Sequence, residues 1–316
     1  MPDPTLGEVH IDAALSGIST AYRNSNYIAD QVSPRVPVKK QSDKYFEWTK
    51  DSWFRNYVQR RTPGSNYPEA GLQLSNSSYM CELFHLAYPL PDELMANQDE
   101  AVNLELAGST WLADQFQLNR EVQCIADYFA TGKWTNDVVG GTNFTKWDDF
   151  ATSDPIADIQ LGQETVQKLT GVRPRKLIVG QDVWDRVLKI HPSIIELYKY
   201  TQVSILSIDQ VKNALDVDEL IVGGAIANSA QEGATFVGGY MWGKDALLAH
   251  VAKAPGLMTP SAAYTFEWDI ENMNLPVVIG RIREDNRDRD LLKAKYAFDN
   301  KVVGADLGYF FSTVMD

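Results

Sequence analysis

The side chains best able to do chemistry are few and scattered. The four histidines are His10, His85, His191 and His250, scattered along the chain, and none belongs to a recognised metal-ligand motif. Cys81 and Cys124 form no C-x-x-C pair. Cys81 sits in an apolar strand-like run and Cys124 in a long helical pattern, so both read as buried, inert thiols in a reducing setting. No H-E-x-x-H, P-loop or G-x-S-x-G occurs. Residues 176–180, followed by a helical pattern, resemble a strand-to-helix phosphate turn, but with one glycine in place of G-x-G-x-x-G. Asp216-Val217-Asp218-Glu219 could hold a cation, yet it lacks the glycine and spaced glutamate of a calcium loop and reads as a solvated turn. Acidic charge and 8 tryptophans would suit a carbohydrate-active hydrolase, whose paired carboxylates flank a sugar platform. No such pair stands out. The reading is therefore of no catalytic, cofactor-binding or metal-binding residue, and not of an enzyme.

Two other segments suit contacts rather than catalysis. Residues 281–290 hold four arginines and four carboxylates, among them Arg283, Asp285, Arg287, Asp288 and Arg289. Alternating signs at strand spacing favour ion pairs across a contact, which set register and specificity more than affinity. A charged hairpin tip in water is the plainer alternative. Residues 38–90 carry aromatic, strand-forming runs with Trp48 in residues 44–48 and Trp53 in residues 53–58. Asp51-Ser52 turns the chain between them, residues 60–66 with Arg60 and Arg61 form a basic tip, and residues 72–78 read as polar and loose. Residues 79–88 return as a strand. A lone two-stranded excursion of this length cannot bury its own aromatic faces and needs a partner surface.

Composition narrows the class. The chain has 316 residues, enough for two domains or one elaborated one. A formal net charge of -13 argues against a protein whose main task is gripping nucleic acid, which needs clustered cations. No apolar run approaches the ~18 residues that would suggest a membrane span, and the first residues lack a signal-peptide pattern.

The elements that must position these segments centre on a long helix. The pattern predicts it over residues 92–131, a rod of roughly 55–60 Å. Its apolar stripe is Ala101, Leu104, Trp111, Leu118, Val122, Ile125 and Phe129, with Gly108 and Gln115 as weak positions. A second row (Val102, Leu106, Leu112, Phe116, Ala126) widens the buried face. Before it, Ile11, Leu15, Ile18 and Tyr22 form one amphipathic helix in an arm that packs on something else. After it come a loop with Trp134 and Trp147, then an α/β region. That region has a helix over 156–169 ended by Gly171, strands over 176–180 and 219–222, helices over 181–189 and 193–200, and a helix capped by Ser207. Residues 225–235 read as a loop, and 245–251, 263–268 and the last forty residues as strands.

The order of arm, aromatic hairpin, spine helix, α/β insert and closing β segment resembles the tailed-bacteriophage major capsid proteins with the HK97-like fold. Arg61-Thr62-Pro63-Gly64, Leu90-Pro91-Asp92-Glu93 and residues 171–180, running on to His191-Pro192, carry the match. The resemblance implies an α+β fold with an N-terminal arm (1–37), an extended β-hairpin loop (38–90), a peripheral domain with the spine helix (91–155 and 276–316) and an axial domain (156–275). It implies self-assembly through pentamers and hexamers into an icosahedral shell around double-stranded DNA, without sequence-specific binding or a membrane. It implies scaffold, portal and decoration proteins as partners, assembly in the bacterial host cytoplasm, and residence in the virion. Trp48, Trp53, Arg60, Arg61, Arg283, Asp285, Arg287, Asp288 and Arg289 are the expected subunit contacts. An encapsulin-like compartment, which shares the fold but holds protein cargo, is the alternative within the fold.

Overall fold

The structure is a computed structural model. It describes residues 24, 26–48, 50–64, 66–97, 103–199, 205–256, 258–269 and 278–316. The amphipathic helix expected around Ile11 to Tyr22 lies outside the described residues.

Helix α1 (Ala29–Val32) leads into β1 (Arg35–Val38). Strands β2 (Ser42–Trp48) and β3 (Leu74–Met80) form a ribbon, with the helical turn α2 (Lys50–Trp53) between them. The chain continues through β4 (Glu82–Pro91), α3 (Asp92–Ala96), the spine helix α4 (Leu104–Tyr128) and β5 (Asn136–Val139). Next come α5 (Pro155–Thr170), β6 (Lys176–Gly180), α6 (Gln181–Val183) with a π-turn (Trp184–Leu188), α7 (Pro192–Leu197), α8 (Ile208–Ala214) and β7 (Glu219–Gly223). A hairpin of β8 (Ile226–Asn228) and β9 (Gly238–Tyr240) precedes β10 (Ala246–Ala249), β11 (Ala263–Trp268), β12 (Val278–Glu284), β13 (Arg289–Val302) and β14 (Gly308–Ser312).

Two sheets organise the molecule. In one, the 14-residue β13 is the axis: β12, β4 and β11 pair with it antiparallel, and β1 pairs parallel with β11. The other runs β5-β14-β10-β6-β7. Its inner strands β14, β10 and β6 are apolar on both faces, as expected where both are covered. Leu177, Val179, Leu248, Tyr309 and Phe311 face Ile159 and Val166 of α5, Ile194 of α7 and Val211 of α8. The alternating partners Ile178, Ile221, Leu247 and Phe310 face Tyr128 and Phe129 at the end of α4, with Trp134 and Trp242. Local signals hold α5 in place: Asp154 accepts from the amides of Ile156 and Ala157, and Gly171 ends the helix at φ +73°. Ser207 and Gln210 form a capping box on α8.

The spine helix differs from the expected one in length and in face. It spans 25 residues, about 37 Å, starting at Leu104 rather than 92. Asn103 breaks the run: it is extended, and its side chain accepts from the Leu106 amide as a new N-cap. Residues 98–102, with Ala101 and Val102 of the expected stripes, lie outside the described residues. The buried row is Gly108, Leu112, Phe116, Arg120, Cys124 and Tyr128, with Glu121 beside it, whereas Leu106, Trp111 and Val122 are exposed. Gly108 lies against the Tyr88 ring, where a Cβ would come within 2.6 Å, so at this weak position the helix packs directly on β4. The residues at steps of four won because β4 and β13 supply the covering surface, through Tyr88, Leu292, Tyr296 and Phe298.

Other expectations change as well. Residues 53–58 are not a strand: 50–53 make a helical turn, and 56–61 run on without a paired partner. The polar stretch 72–78 is not loose, because 74–80 form β3. Ladder hydrogen bonds to β2 use backbone alone, so serine and asparagine serve there. Part of the 225–235 loop is β8. The helix expected over 181–189 is mostly a π-turn.

Candidate assembly surfaces

The β2–β3 ribbon is exposed along most of its length. Its inner end is held where Tyr45 and Tyr79 pack on the Phe266 ring, with centroids 5.4 and 4.6 Å apart. Its outer end rests on the body at two small points. Lys50 Nζ pairs with Asp306 at 2.5 Å, and the Phe54 ring lies beside Gly171, 3.2 Å from where a Cβ would be. Phe46, between these anchors, is 66% exposed, and in the segment beyond Phe54, which joins α2 to β3, Val58 is 86% and Tyr67 73% exposed. Trp53 is also exposed, and of Trp48 only the backbone, opposite Leu74, is described. Arg61 donates to the Tyr67 hydroxyl at 2.8 Å and lies 4.5 Å over its ring, while Arg60 is exposed. The ribbon thus carries a large apolar area that its own chain leaves in water.

The charged segment 281–290 forms the turn between β12 and β13. Arg283 grips Asp92 with both Nη atoms, at 2.5 and 2.6 Å, and reaches Asp285 at 3.2 Å. Arg281 pairs with Asp290 and with Glu105 at 3.3 Å, and Arg289 with Glu284 at 2.7 Å. The Arg283 guanidinium holds the Asp92 carboxyl below the usual carboxylate range. These pairs lie within one chain and tie the turn to α3 and α4, while Asp285, Arg287 and Asp288 stay exposed at the tip. The turn and the ribbon are not brought together. They flank opposite ends of β4, at Pro91↔Arg289 and Glu82↔Phe298, about 30 Å apart by strand rise.

The residues with conventional chemical potential are engaged otherwise. Asp216 is paired with Arg173 (3.1 Å) and Arg175 (3.4 Å), and Glu219 with Lys176 (3.0 Å). Gly180, the lone glycine of the strand-to-helix turn, has a backbone reason: a Cβ there would lie 2.2 Å from the Gly243 carbonyl oxygen. His191 is buried as the N-cap of α7 beside Ser153 (3.0 Å), and burial lowers its pKa. Both cysteines are buried, and burial pushes the Cys81 thiol up to about 12. Among the described residues no cluster of three His, Cys, Asp or Glu is placed to hold a metal, and no helix is long and apolar enough to cross a membrane.

Sequence reasoning missed one centre. Glu121, fully buried in α4, accepts from the backbone amides of Ile28 (2.5 Å) and Ala29 (2.6 Å) and from Trp242 Nε1 (2.7 Å). Burial raises its pKa against the pull of these three donors. Arg120 beside it pairs with Asp30 at 2.8 Å and donates to the Tyr296 hydroxyl. The available signal was a charged doublet, Arg120-Glu121, inside an otherwise apolar helical stripe.

No family model matches the chain. It is 28% identical over 314 residues to the major capsid protein of Burkholderia phage BcepMu, covering 96% of each chain. To the major capsid protein of Pseudomonas phage JBD67 it is 24% identical over 317 residues, covering 96% of this chain and 97% of the other. Among solved structures, a phage-related protein from Bordetella bronchiseptica RB50 superposes with a TM-score of 0.70 at 24% identity, covering 96% and 97% of the two chains. The capsid of cyanophage P-SCSP1u gives 0.60 at 8% identity, covering 93% and 90%. The SrpI encapsulin of Synechococcus elongatus PCC 7942 gives 0.51 at 9% identity, covering 97% of each. The chain has the HK97-like fold of phage capsids, and over 96% of its length it is similar to the major capsid proteins of phages.

Proposed function

We propose that this protein is a major capsid protein that self-assembles into an icosahedral head shell enclosing phage DNA. The observation that carries the reading is similarity to phage major capsid proteins across 96% of the chain, on a fold shared with phage capsids. The uncovered apolar side chains of the ribbon support it, because a shell subunit needs surface that only its copies can bury. A closed shell follows when such contacts repeat about symmetry axes.

Residues 38–90 are the extended loop that lies over a neighbouring subunit, with Trp48, Trp53, Arg60 and Arg61 at the contact. Residues 91–155 and 276–316 form the peripheral domain, 156–275 the axial domain meeting its copies in pentamers and hexamers, and 1–37 the arm. Arg283, Asp285, Arg287, Asp288 and Arg289 form a charged contact at the β12–β13 turn, its geometry set in advance by the intrachain pairs. Scaffold, portal and decoration proteins are its partners. The shell is assembled in the host cytoplasm and becomes part of the virion, with no catalytic role. A formal net charge of -13 keeps the subunit from adhering to the enclosed genome.

An encapsulin-like compartment is the second reading, favoured by the shared fold. Negative-stain microscopy of the purified protein, followed by nuclease and mass-spectrometric analysis of particle contents, tests both. Closed shells that package DNA during infection support the capsid reading. Shells filled with a cargo enzyme support the second, and a small oligomer without shells overturns both.

A further inference from the structure

The β8–β9 hairpin presents Ile226, Phe236, Val237 and Tyr240 to solvent, and both of its roots are held by residues outside it. At the first root, Asn24 pairs with the backbone of Ile226 in both directions. Its Nδ2 donates to the carbonyl at 2.9 Å, and the Ile226 amide donates to its Oδ1 at 3.2 Å. At the second root, Trp242 lies two residues past the end of β9 and donates Nε1–H to Glu121 Oε2 at 2.7 Å. The indole has little freedom: it lies on Gly223, where a Cβ would be 2.3 Å away, and meets the Phe129 ring edge-on at 5.0 Å.

The other oxygen of the same carboxylate accepts the amides of Ile28 and Ala29 at the start of α1. One buried side chain on the spine helix therefore closes two attachments at once. Asp30 and Arg120, the charged pair beside it, reinforce the strap side. Further along, Lys176 donates to the Gln31 carbonyl, and β1 zips onto β11.

We propose that Asn24 and residues 26–32 form a strap with Glu121 as its clasp, coupling the seating of the strap to the orientation of the β8–β9 hairpin. A carboxylate can serve three N–H donors because both oxygens accept. A glutamine of the same shape cannot: its amide has one accepting oxygen, and its NH2 must face either the strap amides or the indole N–H. Whichever side meets the NH2 loses its acceptor, and through the shared clasp the loss loosens the other side as well, while leaving the two sheets intact.

Hydrogen exchange read by mass spectrometry on the full chain tests this. In E121Q, peptides covering 26–32 and 226–240 are expected to exchange about tenfold faster, the loss of a hydrogen bond to a charged group, while 176–180 and 291–300 keep wild-type rates. N24A, at a half-buried position outside both sheets, is expected to speed 226–240 while leaving the amides of Ile28 and Ala29 protected. Acceleration of the strap alone in E121Q, with the hairpin at its wild-type rate, would overturn the coupling. So would acceleration spread through both sheets, which would make Glu121 a general core group, or no acceleration at all.

Discussion

Serine at position 46 should separate folding from assembly. Phe46 lies on β2 opposite Asn76 and is 66% exposed in the subunit. Only about a third of the ring is buried by its own chain. If full burial of a phenylalanine is worth about 1.5–3 kcal/mol, F46S costs the subunit about 0.5–1 kcal/mol. In a chain of this size that lowers Tm by about 2–4 °C at most. The remaining two-thirds is available to a neighbour and is worth about 1–2 kcal/mol per contact, a loss of about 5- to 30-fold in each pairwise affinity. Repeated around a shell, the loss should raise the concentration needed for assembly far more than it lowers Tm. Circular dichroism melts of the unassembled subunit give the first quantity, and light scattering against protein concentration gives the second. An unchanged assembly threshold, or a Tm drop of about 8 °C or more, would refute the reasoning, because the ring would then belong to the subunit's own core.

Three further outcomes are expected. G180A drives a Cβ to 2.2 Å from a backbone oxygen that cannot rotate away; it should cost about 1–3 kcal/mol or more and cut the soluble yield, read by thermal melts. Lys50 holds the Asp306 carboxyl below its ordinary range, with Thr135 assisting, so this tie is present at neutral pH and is lost as pH falls below about 4, through the lowered pKa of Asp306. D306N should reproduce the acid effect at pH 7 by releasing the ribbon's outer end, seen as faster tryptic cleavage after Arg55, Arg60 and Arg61; unchanged cleavage would mean that Phe54 on Gly171 suffices. Deleting residues 60–65 should leave a folded subunit that fails to build stable shells, and normal shells under the microscope would remove the tip from the contact.

Elements with their own local signals were legible from sequence. Pro155 after Asp154 starts α5 and Gly171 stops it. Ser207 and Gln210 cap α8. The apolar runs of β6 and β7 need no context to read as strands, because a strand buried on both faces is apolar nearly throughout. The ribbon was legible only in outline. Its aromatic first strand announced itself, whereas its polar second strand is held by a ladder that any sequence can make once the partner is beside it.

The spine helix marks the boundary between the two kinds of information. Its apolar periodicity, written in residues three and four apart, sufficed to show that a helix lies there. Which side of it turned inward, where it began, and why Arg120 and Glu121 sit in its buried row were settled by groups far away in the chain: Tyr88 on Gly108, Tyr296 on Arg120, the amides of Ile28 and Ala29, and the Trp242 indole on Glu121. Periodicity sums over neighbours along the chain. A buried carboxylate is stable only when donors converge on it in space, and no local pattern of residues 104–128 contains the donors from 28, 29 and 242.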